Sequence, residues 1–181
     1  NPSGGKTGQI YCWGSKTYGI LGDSCCFNNN TTIANALEPH YIVSGGAVSA
    51  GGYFVCGDGD CWGHNVNLSI GPGNIPDGES GRAGNTLDGY GELDVGHSHG
   101  CGIISNGARI GITEGDVLCW GGNYVGQLGD ASKIDSGTAN KVWLNGRRAI
   151  DVSSGDSHSC VVLDNHKIKC WGYNHAFQLG S

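Results

Sequence analysis

The stretch that decides the fold is Gly155-Asp156-Ser157-His158-Ser159-Cys160-Val161-Val162-Leu163-Asp164-Asn165-His166-Lys167-Ile168-Lys169-Cys170-Trp171-Gly172-Tyr173-Asn174-His175-Ala176-Phe177-Gln178-Leu179-Gly180. An apolar run, Cys160–Leu163, and an alternating one, Lys167–Trp171, flank the turn residues Asp164-Asn165-His166 and read as a β-hairpin. Its parts recur along the chain. Cys-Trp-Gly stands at Cys12-Trp13-Gly14, Cys61-Trp62-Gly63, Cys119-Trp120-Gly121 and Cys170-Trp171-Gly172, with the cysteines 49, 58 and 51 residues apart. Ten residues after each Cys comes a Gly: Gly22, Gly71, Gly129 and Gly180. A second element precedes the last three copies: Val48-x-x-Gly51 then Cys56, Leu93-x-x-Gly96 then Cys101, Val152-x-x-Gly155 then Cys160. Fixed offsets at a period near 50 residues are the signature of a repeat architecture.

Each unit reads as short strands. Val48-Ser49-Ala50 and Val152-Ser153-Ser154 suit inner strands. Cys56-Gly57-Asp58-Gly59-Asp60-Cys61 is the tightest hairpin, a two-residue Asp58-Gly59 turn that sets Gly57 opposite Asp60 and Cys56 opposite Cys61. A non-hydrogen-bonded cross-strand pair has Cα atoms about 4.5 Å apart, within disulfide reach. The third copy is longer, from Cys101 to Cys119, with turn signals at Asn106-Gly107 and Glu114-Gly115. The spacing therefore predicts one cross-strand disulfide per unit: Cys56–Cys61, Cys101–Cys119 and Cys160–Cys170. Cys12 has no such upstream partner, and Cys25 or Cys26 is left to take it.

Units of the form Gly-x-x-His-x-Cys … Cys-Trp-Gly-x-Asn-x-x-Gly-Gln-Leu-Gly resemble repeats of the regulator-of-chromosome-condensation type, most clearly over 96–129 and 155–180. Gly51-Gly52-Tyr53-Phe54 is distantly similar to the bacterial β-lactamase inhibitor built from this repeat. The resemblance implies an all-β chain of four-stranded propeller blades. Its cysteines are more like those of secreted members than of the nuclear exchange factor. The expected divisions of this single repeat domain are a partial blade over 1–43 and blades over 44–91, 92–148 and 149–181. That makes about three and a half blades, whereas a closed ring needs about four to eight. Either a longer polypeptide or several chains would complete it, and an open arc invites self-association.

Composition agrees with short strands and tight turns. Of 181 residues, 35 are Gly, and charged residues make up 14% against a usual ~25%. Helical bundles tolerate little Gly. The net charge of −6 gives a nucleic-acid backbone no electrostatic support. No apolar run approaches the ~18 residues of a membrane helix. Nine cysteines favour an oxidising compartment, so a secreted, extracellular location is expected. Sequons at Asn29, Asn30 and Asn67 make those residues the candidate glycosylation sites.

No nucleophile elbow, zinc-protease helix or phosphate loop is present, so the chain is expected to be no enzyme and to carry no cofactor. His97, His99 and Cys101 alternate and would share one face of a strand, but there is no Cys-x-x-Cys to complete a metal site. A blade histidine beside a cystine is the preferred reading. Trp13, Trp62, Trp120 and Trp171 recur at one strand position and read as inter-blade core. Trp143 lies outside the repeat and, with Arg147 and Arg148, is the candidate surface contact. The segments 25–41, 71–91 and 131–148 read as loops, the second exposed and poorly packed because it is rich in Gly and Pro. The function expected is extracellular recognition or scaffolding through protein contacts or self-assembly. The alternatives are a glycan-binding lectin and an inhibitor of a secreted enzyme.

Overall fold

The computed structural model describes residues 8–15, 17–21, 36–45, 48–57, 59–71, 75–83, 89–105 and 111–180. They form thirteen strands in four antiparallel sheets. The first sheet pairs β1 (Gly8–Gly14) with β2 (Ala36–Gly45). The second runs β3 (Val48–Ala50), β4 (Phe54–Gly57), β5 (Asp60–His64), β6 (Ser80–Ala83) in spatial order. The third holds β7 (Tyr90–Val95), β8 (His99–Ile104), β9 (Val117–Gly121) and β10 (Ser136–Lys141) in the same order. The fourth contains β11 (Ala149–Ser154), β12 (His158–Leu163) and β13 (Ile168–Gly172). Each sheet is a meander, and the inner strands β3, β7 and β11 lie beside one another.

The hairpin registers follow the cysteines. Cys56 faces Cys61, Cys101 faces Cys119 and Cys160 faces Cys170. All three pairs are disulfides, each with Cα atoms 4.1 Å apart. Cys12 is a free, half-buried thiol, so the expected bond from Cys12 is not made; burial raises its pKa. Cys25 and Cys26 lie outside the described residues.

Three sequence expectations need correcting. β2, β6 and β10 occupy segments read as loops. Within 71–91, Gly81 and Ala83 are buried, and a Cβ on Gly81 would strike the Ile75 side chain at 2.6 Å. These fourth strands need no apolar alternation, because each is an outer strand satisfied by one neighbour. β2 also runs to Gly45, past the expected boundary at 43. Finally, β8 begins at His99, so His97 leaves the strand and does not join His99 and Cys101 on one face.

Apolar side chains fill the gaps between sheets. Phe54, Ile70, Ala83, Val95 and Trp120 pack between the second and third. Ile103, Leu128, Val142, Leu144, Val152, Val161 and Leu163 pack between the third and fourth, with Trp171 against them. Each junction carries the same latch. The indole Nε1 of Trp62 donates to the Ile20 carbonyl (2.9 Å), that of Trp120 to Ser69 (2.9 Å) and that of Trp171 to Gln127 (2.8 Å). Every acceptor lies two residues before the repeat glycine of the preceding unit. The Gly after Trp62, Trp120 and Trp171 is required by close approach. Gly121 has φ 100°, and a Cβ there would lie 2.8 Å from the His99 Cα; Gly172 has φ 102° and would meet the His158 Cα at 2.9 Å. Trp13 departs from the expected core role, being 62% exposed with no carbonyl of the described residues on its indole.

The loop after each of Trp62, Trp120 and Trp171 is held by an asparagine. Asn65, Asn123 and Asn174 offer Oδ1 to the backbone N–H five residues on, at Ile70 (3.1 Å), Leu128 (3.0 Å) and Leu179 (3.0 Å). This bond turns the chain back so that the buried Ile70 and Leu128 enter the junctions.

Candidate interaction face

A four-strand meander places its first-to-second and third-to-fourth loops at one end. The described loop residues at 51–53, 64–71, 75–79, 96–98, 122–135, 155–157 and 173–180 therefore share a face. The hairpin ends at Gly57 and Asp60, at Ile104 and Val117 and at Leu163 and Ile168, and the 141–149 crossover, lie on the other.

On the first face a row of ring side chains crosses all four sheets. Tyr18 stacks on His64 at 4.3 Å between ring centroids. Tyr53 lies edge-on to His64 at 6.0 Å and to His97 at 4.5 Å. His97 Nδ1 is 3.6 Å from Asp156 Oδ1. Ser157 Oγ donates to Asp156 Oδ2 (3.1 Å) and meets the Tyr124 hydroxyl at 2.7 Å. Tyr173 stacks on His175 at 5.4 Å farther along. Tyr18, Tyr124, Tyr173, Ile134 and Phe177 are exposed, and the Asp156 side chain is 78% accessible.

Rigid polar ties support the row from beneath. Asp94 on β7 accepts from the Ser49 hydroxyl of β3 and from the Ser154 N–H of β11 (2.7 Å), so one carboxylate joins three inner strands. His99, fully buried, shares a 2.9 Å hydrogen bond with Ser159 Oγ, which donates to the Gln127 carbonyl (3.0 Å). Burial first, and the neighbouring His158 second, push the His99 pKa down to about 4. Asp135 accepts from the Asn123 N–H (2.6 Å) and from Asn67 Nδ2 (2.9 Å), tying two sheets. A glycan on Asn67 would use the nitrogen that makes this bond; Asn29 and Asn30 lie outside the described residues.

Charge divides between the faces. Among the described residues the loop face carries Asp77, Glu79, Asp130, Asp135 and Asp156 against one lysine, Lys133, no arginine, and the histidines His64, His97 and His175. Asp130 accepts from Asn123, Asn140 and the Ser132 N–H, neutral donors that hold its pKa low despite the opposing effect of burial and leave its charge uncompensated. Toward the opposite face four cations are paired with acids: Lys141 with Asp116 (2.7 Å), Arg148 with Glu114 (2.6 Å), Arg147 with Asp164 (3.8 Å) and Arg82 with Asp60 (2.7 Å). Trp143 lies there too, 73% exposed, with Lys169 Nζ donating to its carbonyl (2.7 Å). The sequence candidates Trp143, Arg147 and Arg148 are thus apart from the ring row, and both arginines are engaged. A hollow of about 460 Å³ near them has Ile103, Ile104 and Ala149 among its lining residues.

No group of three metal-ligating side chains converges among the described residues. No helix of the described residues is long and apolar enough to cross a membrane.

Two models of the regulator of chromosome condensation (RCC1) repeat match, one over residues 114–162 and the other over residues 149–178. The RCC1 domain-containing mitochondrial protein RUG3 of Arabidopsis thaliana is 30% identical over 143 residues, covering 74% of this chain and 30% of that protein. The ultraviolet-B receptor UVR8 of the same plant is 29% identical over 187 residues, 96% of this chain and 40% of the receptor. Prp20p of Saccharomyces cerevisiae superposes with a TM-score of 0.73 at 18% identity, over 97% of this chain and 43% of that one. Human WBSCR16 does so at 0.72 and 18%, over 91% and 43%. These two likenesses are of fold. The chain spans less than half the length of each of these four proteins.

Proposed function

The chain is a run of RCC1-type propeller blades, and from that premise we propose that it is a non-catalytic recognition module presenting its loop face to a protein partner. The observation that carries this reading is the row Tyr18–His64–Tyr53–His97–Asp156–Ser157–Tyr124, drawn from four sheets onto one surface. Recognition commonly sits on loops held by such a scaffold, and aromatic residues are enriched where proteins meet. The similarly folded Prp20p was solved together with its binding properties to Gsp1p and histones, which favours protein partners for this architecture. The three disulfides support residence in an oxidising compartment, secreted or extracellular.

A photo-reactive amino acid in place of Tyr124 tests the face directly. In the native setting it should yield a covalent protein adduct, while the same probe at Ile168, exposed on β13, yields none. Equal adducts at both positions, or none at Tyr124, overturn the reading. Alkylation of native material without reductant tests the compartment: Cys56, Cys61, Cys101, Cys119, Cys160 and Cys170 should resist labelling. Full labelling would place the protein in a reducing one.

A further inference from the structure

Resting on that reading, we infer that the partner segment seated on the loop face is basic, with the Asp156 carboxylate and the Tyr124 ring receiving one of its Lys or Arg side chains. The ring and the carboxylate are brought together by a single hydroxyl. Ser157 Oγ donates to Asp156 Oδ2 (3.1 Å), which leaves the Tyr124 hydroxyl as donor to Ser157 (2.7 Å). Ring and acid are both exposed, so one cationic head can lie over the ring and against the carboxylate.

The charge around this pair selects the sign of the occupant. Asp77, Glu79, Asp130 and Asp135 share the face, and Lys133 is the one lysine or arginine among its described residues. All three described arginines are toward the far face, each already on an acid. His97 Nδ1 stands 3.6 Å from Asp156 Oδ1, an ion-pair distance when the ring is protonated, with the ring edge-on to Tyr53; Asp156 Oδ2 is on the other side, toward Ser157. The chain's net charge of −6 adds long-range attraction for a cationic segment. Exposed rings such as Tyr18 and Tyr173 extend the surface for further cationic or apolar side chains.

The test titrates the full chain with a short synthetic peptide alternating Arg and Ser, and with its Glu-Ser counterpart. The Arg peptide should bind and the Glu peptide should not. Raising salt from about 50 to about 300 mM should weaken binding severalfold, because exposed charges are screened. Asp156→Asn and Tyr124→Ala should each weaken it about three- to fivefold, with the melting temperature unchanged. Trp143→Ala, on the opposite face, should leave it unaltered. Equal affinity for both peptides, or indifference to Asp156→Asn, overturns the inference. So does binding of neutral cellohexaose, lost in Tyr124→Ala, without binding of the Arg peptide; the face would then be a glycan site. If the Tyr124 photo-probe captures a protein partner whose contacting segment is acidic, the recognition reading stands and the basic-segment inference falls. If it captures no protein, both fall.

Discussion

The strand Cys12-Trp13-Gly14 and the strand Cys119-Trp120-Gly121 share a tripeptide but not an environment. Trp120 is 1% exposed, its indole bonded to the Ser69 carbonyl; Trp13 is 62% exposed. Cys119 is bonded to Cys101, while Cys12 is a free thiol. Gly121 at φ 100° has His99 backbone within 2.8 Å of where a Cβ would sit; Gly14 at φ 112° has nothing within 4 Å. The tripeptide is therefore not a structural element by itself. It is one half of a junction, and each residue acquires its role from a neighbouring strand or blade.

The contrast can be broken by substitution. Trp120→Ala should cost about 3–5 kcal/mol in urea unfolding, since it empties a junction and orphans the Ser69 carbonyl, while Trp13→Ala should cost less than about 0.5 kcal/mol. Similar losses would mean that Trp13 is covered in solution. Replacing Cys101 and Cys119 together by Ser should cost about 3 kcal/mol, from the loop between residues separated by 18 positions, and Cys12→Ser should be near neutral by the same melt.

A pH series sharpens the difference. His99 titrates at about 4 in the folded chain and near 6.5 unfolded, so its contribution is fully present above pH 6.5 and is lost as pH falls from there toward 4. Thermal melts should show a destabilisation growing to about 3 kcal/mol over that window. The slope should shrink in His99→Gln; an unchanged slope would assign the acid sensitivity elsewhere. A further comparison concerns the loop clasp. Asn123→Ala, at a fully buried site, should cost about 1–3 kcal/mol, and Asn174→Ala, half-buried, less than half as much.

How much of this was legible in the sequence follows from how local each signal is. Hairpins were readable because the cysteines mark both strands of one register, as at Cys160 and Cys170. β6 and β10 were not, because Ser80-Gly81-Arg82-Ala83 and Ser136–Lys141 lack apolar alternation and are strands only by pairing to β5 and β9. The loop face was hidden for another reason. Tyr53, His97, Tyr124 and Asp156 come from separate loops, and nothing near any of them announces the others. Trp143 stands outside the repeat, yet solitude in the pattern says nothing of which side of the propeller it occupies.

The three indole bonds all point toward the N-terminus. Each donor trails its acceptor in the chain, by 42 residues at Trp62, 51 at Trp120 and 44 at Trp171. During synthesis the receiving carbonyl has thus left the ribosome before the tryptophan that needs it. Every blade can be shingled onto a finished course, like a roof laid in one direction, without waiting for a later part of the polypeptide.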